Sequence, residues 1–307
     1  VTYLVCEARL LDQALLTLEN RWARKIFVFH SIHTRPGSDV IRTGNRALLN
    51  SMDQADALVV LTPQQRTDVA ERFGHAERIH VIPHAAQPPP PAPPSGRTPG
   101  KVVVVSRLAP EKDVGAAIEA FGEVSRALPR ARLEIWGSGP EEGQLKALTR
   151  ELGLEGSVRF AGYTDNVPAV FQSAECSVLT SRWEGFSLTV VESLASGTPC
   201  IAFDVKYGPA AMIADGVNGY LVAPGDRGEL ARRIIGFLEA PAQVRQAMSE
   251  AAAARMAEFS EATLADRWQT LFDALVRPVA SRPPLHKRLW RRVPPGPRNA
   301  LARWLRL

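Results

Sequence analysis

Ser181-Arg182-Trp183-Glu184-Gly185-Phe186-Ser187-Leu188-Thr189-Val190-Val191-Glu192 carries more information than any other stretch of this chain. Cys176 to Thr180, just upstream, reads as a short buried strand, and Leu188 to Ala195 has helical rather than alternating apolar spacing. A strand, a glycine turn and a helix N-terminus leave backbone N–H groups unpaired at one point, where an anion can sit. Glu184 stands at the mouth of that point, and Glu192 lies two helical turns deeper, roughly 12 Å along the axis. A pair so spaced suits one elongated ligand with phosphate in the middle and hydroxyl groups at both ends. A glutamate among Leu188, Val191, Leu194 and Ala195 also needs a partner for its charge.

The sequence around this stretch alternates strands with helices. Residues 1–87 contain apolar runs at Val1–Cys6, Lys25–His30, Ala57–Leu61 and Ile79–Ile82. Helical patterns lie near Leu11–Asn20 and Arg46–Gln54 and from Thr62 to Phe73, the last with Thr62 as cap and Pro63 at the first helical position. Six prolines within residues 88–94 exclude helix or central strand and mark a stiff linker over 88–100. A second alternating unit occupies 101–278, and a basic tail follows at 279–307. This order predicts an α/β protein with two Rossmann-like domains of parallel strands facing across a cleft, and ligands at the C-terminal strand ends.

Composition narrows the function. A chain of 307 residues with 45% apolar content can bury a full core, and no apolar run reaches the ~20 residues of a membrane span. Cys6, Cys176 and Cys200 are scattered in apolar runs without metal-site spacing, which suits buried thiols in a reducing cytoplasm. The net charge is +5, yet Arg282, Lys287, Arg288, Arg291, Arg292, Arg298, Arg303 and Arg306 lie in a tail without acids. The remaining body is slightly acidic, which argues against a nucleic-acid partner. With Trp290, Trp304 and several leucines, the segment 282–307 is either a solvated end or a peripheral attachment to anionic lipid.

Further residues fall at strand ends. Arg107 follows four valines and Lys112 comes five positions later; the pair is either a diphosphate clamp or part of a solvated loop. Gly137 and Gly139 follow the next strand, permitting either close approach to a ligand or a tight turn. Gly162 and Tyr163 follow the third strand and border a possible base pocket. His30 and His33 end a strand of the first domain, with no further ligands near enough in sequence for zinc. A dinucleotide-dependent oxidoreductase would need Gly-x-Gly-x-x-Gly after a first strand, and neither domain has it.

Ser-Arg-Leu-x-x-Glu-Lys, Gly-Ser-Gly-Pro and Glu-Gly-Phe-x5-Glu, in that order, resemble the retaining GT-B glycosyltransferases of the glycogen-synthase-like group. Phe203–Val222, His-Ser-x-His and Val-Leu-Thr-x-x-Gln are similar to the branch that glycosylates teichoic acids and serine-rich surface proteins. The resemblance covers residues 1–278. It implies transfer of glucose or N-acetylglucosamine from a UDP-sugar to a cell-envelope acceptor such as a polyol-phosphate chain, on the cytoplasmic side. Arg107 and Lys112 would hold the diphosphate and Glu192 the ribose hydroxyls. Glu184 would contact the donor sugar, the amides of Gly185, Phe186 and Ser187 would support the distal phosphate, and Leu188 would also belong to the donor site. One of His30 or His33 would approach from the facing domain. Neither a cofactor nor a metal is expected, because cations replace the metal. Members also carry a glycine-rich first loop and an inserted β-rich segment, neither present here. The first domain is therefore expected to be incomplete, with the N-terminal third to half of such a protein missing. A non-catalytic donor-binding or partner subunit is the alternative this leaves open.

Overall fold

The computed structural model describes residues 2–7, 23–29, 55–91 and 96–276. They form two parallel sheets. The first, in order β1-β2-β3-β4, contains Thr2–Glu7, Ala23–Phe29, Ala57–Val60 and Ile79–Val81. The second has six strands: β5 (Lys101–Val105), β6 (Arg132–Trp136), β7 (Val158–Gly162), β8 (Cys176–Leu179), β9 (Cys200–Phe203) and β10 (Gly219–Val222). Its order is β10-β9-β8-β5-β6-β7. The direction of winding therefore reverses between β5 and β8, and a cleft opens at the carboxyl ends of those two strands. Parallel strands buried on both faces read as continuous apolar runs, as Val102–Val104 and Cys200–Phe203 do.

Helix α1 (Pro63–Phe73) begins as its sequence dictates: the Thr62 side chain accepts from Gln65 N and the Gln65 side chain returns the bond. Helices α2 (Val114–Ala127), α3 (Glu142–Glu151), α4 (Val167–Gln172) and α5 (Leu188–Ala195) follow strands of the second sheet. Helices α6 (Arg227–Glu239), α7 (Ala242–Arg255) and α8 (Glu261–Leu275) end the described chain. The main core lies between β5, β6, β8 and β9 and helices α2 and α6, with Phe121, Ile118 and Phe237 at its centre.

One packing relation departs from the sequence-based division at 101–278. Leu271 of α8 is buried with Ile26, Val28, Ala57, Val59 and Ile82, so this last helix covers a face of the first sheet. An amphipathic pattern shows that a helix needs an apolar partner without showing which one. The chain thus passes between the two units twice, near Ile82–Ala86 and near Phe259–Ser260, and Ala86 N donates to Phe259 O at 2.7 Å where the passages meet. The helical stretches expected at 11–20 and 46–54, His30, His33 and the 279–307 tail lie outside the described residues.

Candidate donor site at the β5 and β8 strand ends

The loop after β5 and the loop after β8 are bound to each other. Arg182 N donates to Glu111 O at 2.9 Å, Thr180 Oγ1 to Lys112 O at 3.2 Å, and Arg182 Nε to Asp113 Oδ2 at 3.0 Å. Lys112 Nζ lies 2.7 Å from Glu184 Oε1, which also accepts from Ser181 Oγ at 2.7 Å. Glu184 is therefore not at an open mouth: only 8% of its side chain is exposed. A carboxylate this deep is stable only when paired and hydrogen-bonded, and Lys112 and Ser181 supply both needs. Arg107, by contrast, is 68% exposed and paired with Glu111 on the rim. The Glu111 backbone amide, helped by Arg107 and Lys112, holds that carboxyl below its ordinary value.

Helix α5 starts at Leu188 with Ser187 in the left-handed region, at φ 68°, and no side chain caps it. The Ser187 hydroxyl is buried without a hydrogen-bond partner. The amides of Gly185, Phe186 and Ser187 likewise find no acceptor among the described residues. Of the four described non-glycine residues with positive φ, Ser187 is one, Asp113 binds Arg182 of the same loop, and Tyr207 precedes Gly208, which packs against Glu184 and Phe186. Backbone held in such conformations beside unpaired donors is characteristic of a ligand site. The Phe186 ring itself is core, stacked edge-on against His84 at 5.7 Å and tilted against Phe259; only its amide serves the site. Glu192 sits on the water-accessible side of α5, and partial burial of its carboxyl raises its pKa. Leu188 is exposed beside it.

A cavity of about 540 Å³ adjoins the β5 end and brings together Ser106, Arg107, Gly137, Gly139, Tyr163 and Thr189. Tyr163 stands over it, 78% exposed. Gly137 and Gly139 prove to be needed by the protein's own packing. A Cβ on Gly137 would lie 1.9 Å from Ser106 O, and one on Gly139 2.2 Å from Leu108 O. The turn is thereby pressed against the Arg107 segment, and Gly137 N donates to Gly162 O at 2.7 Å. A larger groove of about 710 Å³ between β4 and α8 contains none of the predicted residues. Volume alone does not mark the site.

Several contributors are not singled out by the sequence, although Ser106 opens the Ser-Arg-Leu-x-x-Glu-Lys motif and Gly208 lies within Phe203–Val222. Ser181 holds Glu184, Ser106 presents a second buried hydroxyl without a partner, and Gly208 packs against Glu184. Gln65 stands in the Val-Leu-Thr-x-x-Gln motif without an assigned role, and its side-chain amide donates to Gly185 O at 3.0 Å. Among the described residues no group of three or more His, Cys, Asp or Glu side chains is arranged to hold a metal.

Residues 91–255 match the family described as Glycosyl transferases group 1. The poly(glycerol-phosphate) alpha-glucosyltransferase of Bacillus subtilis is 28% identical over 87% of this chain and 40% of its own length. An exopolysaccharide phosphotransferase of Streptomyces coelicolor is 35% identical over 76% of this chain and 25% of its own length. Among solved structures, the pneumococcal O-GlcNAc transferase GtfA in complex with UDP and GlcNAc superposes with TM-score 0.73 at 26% identity, covering 83% of this chain and 53% of that one. The fold is thus GT-B, and the chain spans well under two thirds of these proteins.

Proposed function

Because this chain belongs to the group 1 glycosyl transferases, we propose that it transfers a hexose, glucose or N-acetylglucosamine, from a UDP-sugar to a cell-envelope acceptor such as a polyol-phosphate chain. The observation that carries this is the uncapped α5 N-terminus, with its unpartnered Ser187 hydroxyl, beside the Lys112–Glu184 pair. Fixed donors aimed at one point favour a group whose negative charge grows as a bond breaks. The activity of the B. subtilis relative and the UDP and GlcNAc held by the pneumococcal structure support this reading. The phosphotransferase match leaves three quarters of that protein uncovered, so its activity is not carried over.

In this reading Arg107 and Lys112 neutralise the diphosphate, Glu192 receives the ribose hydroxyls, and Tyr163 borders the base. Glu184 faces the sugar, and the amides of Gly185, Phe186 and Ser187 hold the distal phosphate. The bond from the sugar's anomeric carbon to UDP breaks as a bond to the acceptor oxygen forms on the same face. The acceptor's proton leaves on the departing phosphate. No metal is required, since the two cations carry its charge-neutralising role. His30 or His33 would serve the acceptor side, and 282–307 would attach the protein to the cytoplasmic face of an anionic membrane.

A panel of UDP-sugars, with product mass and anomeric configuration recorded, tests the reading. Transfer with retention supports it. UDP binding without transfer indicates a donor-binding subunit, and no UDP binding overturns both. Co-sedimentation with anionic vesicles that survives deletion of 282–307 would remove the membrane role.

A further inference from the structure

Gln65 is buried, and its side-chain amide faces two ways. Its Oε1 accepts from Leu61 N at 2.8 Å and Thr62 N at 3.1 Å, which leaves Nε2 as the donor to Gly185 O at 3.0 Å. No other assignment of the amide satisfies all three partners. Gly185 and Gln65 belong to the two different units, 120 positions apart. No described peptide bond is cis, and in a trans peptide the carbonyl and the following N–H point in opposite directions. The bond that draws Gly185 O toward Gln65 therefore sets the direction of Phe186 N–H, which has no acceptor among the described residues.

The same face of α1 holds the other loop beside Glu184. Asp68, one turn along, accepts from Tyr207 Oη at 2.7 Å and from Lys206 Nζ at 2.6 Å. Gln64 Oε1 accepts from Tyr207 N at 3.4 Å. Gly208 follows, so close to the site that a Cβ there would lie 2.9 Å from Glu184 Cβ and 3.2 Å from Phe186 O. Helix α1 thus grips both loops that enclose Glu184.

We propose that Gln65 is a positioning residue which, through the Gly185–Phe186 peptide, aims the Phe186 amide at the distal phosphate of a nucleoside diphosphate. The proposal rests on the donor-site reading above and adds a control exerted from the facing unit. Affinities for UDP and UMP, measured by calorimetry on the whole chain, test it. Gln65→Glu keeps the acceptor for Leu61 and Thr62 and loses the donor; UDP affinity should fall about tenfold while UMP affinity changes less than twofold. Gln65→Met, which buries no charge, must reproduce that loss. Thr62→Ala weakens the helix cap alone, so it should lower Tm and leave the UDP-to-UMP ratio as in the wild type. A wild-type ratio in Gln65→Met overturns the proposal whatever Gln65→Glu does, and so does an equal loss in Thr62→Ala. A wild-type chain that binds no UDP, or binds it no better than UMP, overturns the donor-site reading itself.

Discussion

The two ends of helix α5 differ in how their polar groups are satisfied. At the C-terminal end Ser196 N and Gly197 N close onto Glu192 O and Leu194 O, and Thr198 N onto Ser193 O. The Arg97 guanidinium then binds Gly197 O at 2.7 Å, Thr198 Oγ1 at 2.8 Å and Ala174 O. Burial there pulls the Arg97 pKa down from its ordinary value, so its charge is held against desolvation by these oxygens. Ser193 Oγ adds bonds to Ser177 Oγ and Thr198 O, both at 2.7 Å. At the N-terminal end, some 12 Å away, the amides of Gly185, Phe186 and Ser187 lack acceptors and the buried Ser187 hydroxyl lacks a partner among the described residues, and Ser187 is left-handed. A helix anchored so fully at one end can keep the other unsatisfied. Anchorage and ligand binding are separated along a single element.

Mutations should respect that separation. Arg97→Ala leaves several buried carbonyls without a donor and should cost about 3 kcal/mol of stability. Chemical denaturation measures this, and a loss below about 0.5 kcal/mol would show that the anchored end anchors nothing. Glu184→Gln removes the charge paired with Lys112 while preserving shape; transfer should slow about a hundredfold, some 2.7 kcal/mol, with the fold retained by circular dichroism. Unchanged turnover would remove Glu184 from the sugar site. Ser187→Ala deletes a buried, unpartnered hydroxyl, so Tm should hold or rise while UDP affinity falls about fivefold, near 1 kcal/mol. A fall in Tm with UDP affinity intact would invert the comparison.

The smallest effect concerns Glu192. Its folded-state pKa is raised above 4.5 by burial, so the folded protein holds the proton more tightly than the unfolded chain. Its contribution to stability is full below pH 4.5 and is lost as pH rises through the raised value. Glu192→Gln should therefore be relatively more stable near pH 7, and thermal melts should show the gap closing toward pH 4. A gap independent of pH would show that the carboxyl is as solvated as its exposure suggests.

Some of this was legible in the sequence because the chemistry is local. Thr62-Pro63 starts α1 through bonds spanning three residues, and apolar runs between glycines and prolines make the parallel strands. Glu184 to Glu192 likewise falls on a strand–turn–helix unit as its spacing requires. What could not be read depends on distant partners. Glu184 is buried because Lys112, 72 positions earlier, lies beside it. Gly137 looks like a site for close approach, but that Ser106 is what approaches depends on the alignment of β5 with β6. Gln65 belongs to a motif, Val-Leu-Thr-x-x-Gln, whose residues are adjacent in sequence; its bond to Gly185 needs both units assembled.

The two passages of chain between the units are tied together where Ala86 N meets Phe259 O. A single tether would let one unit swivel freely about the other. Two tethers bound to each other at one point remove much of that freedom, and the same two units meet again where Gln65 donates to Gly185 O.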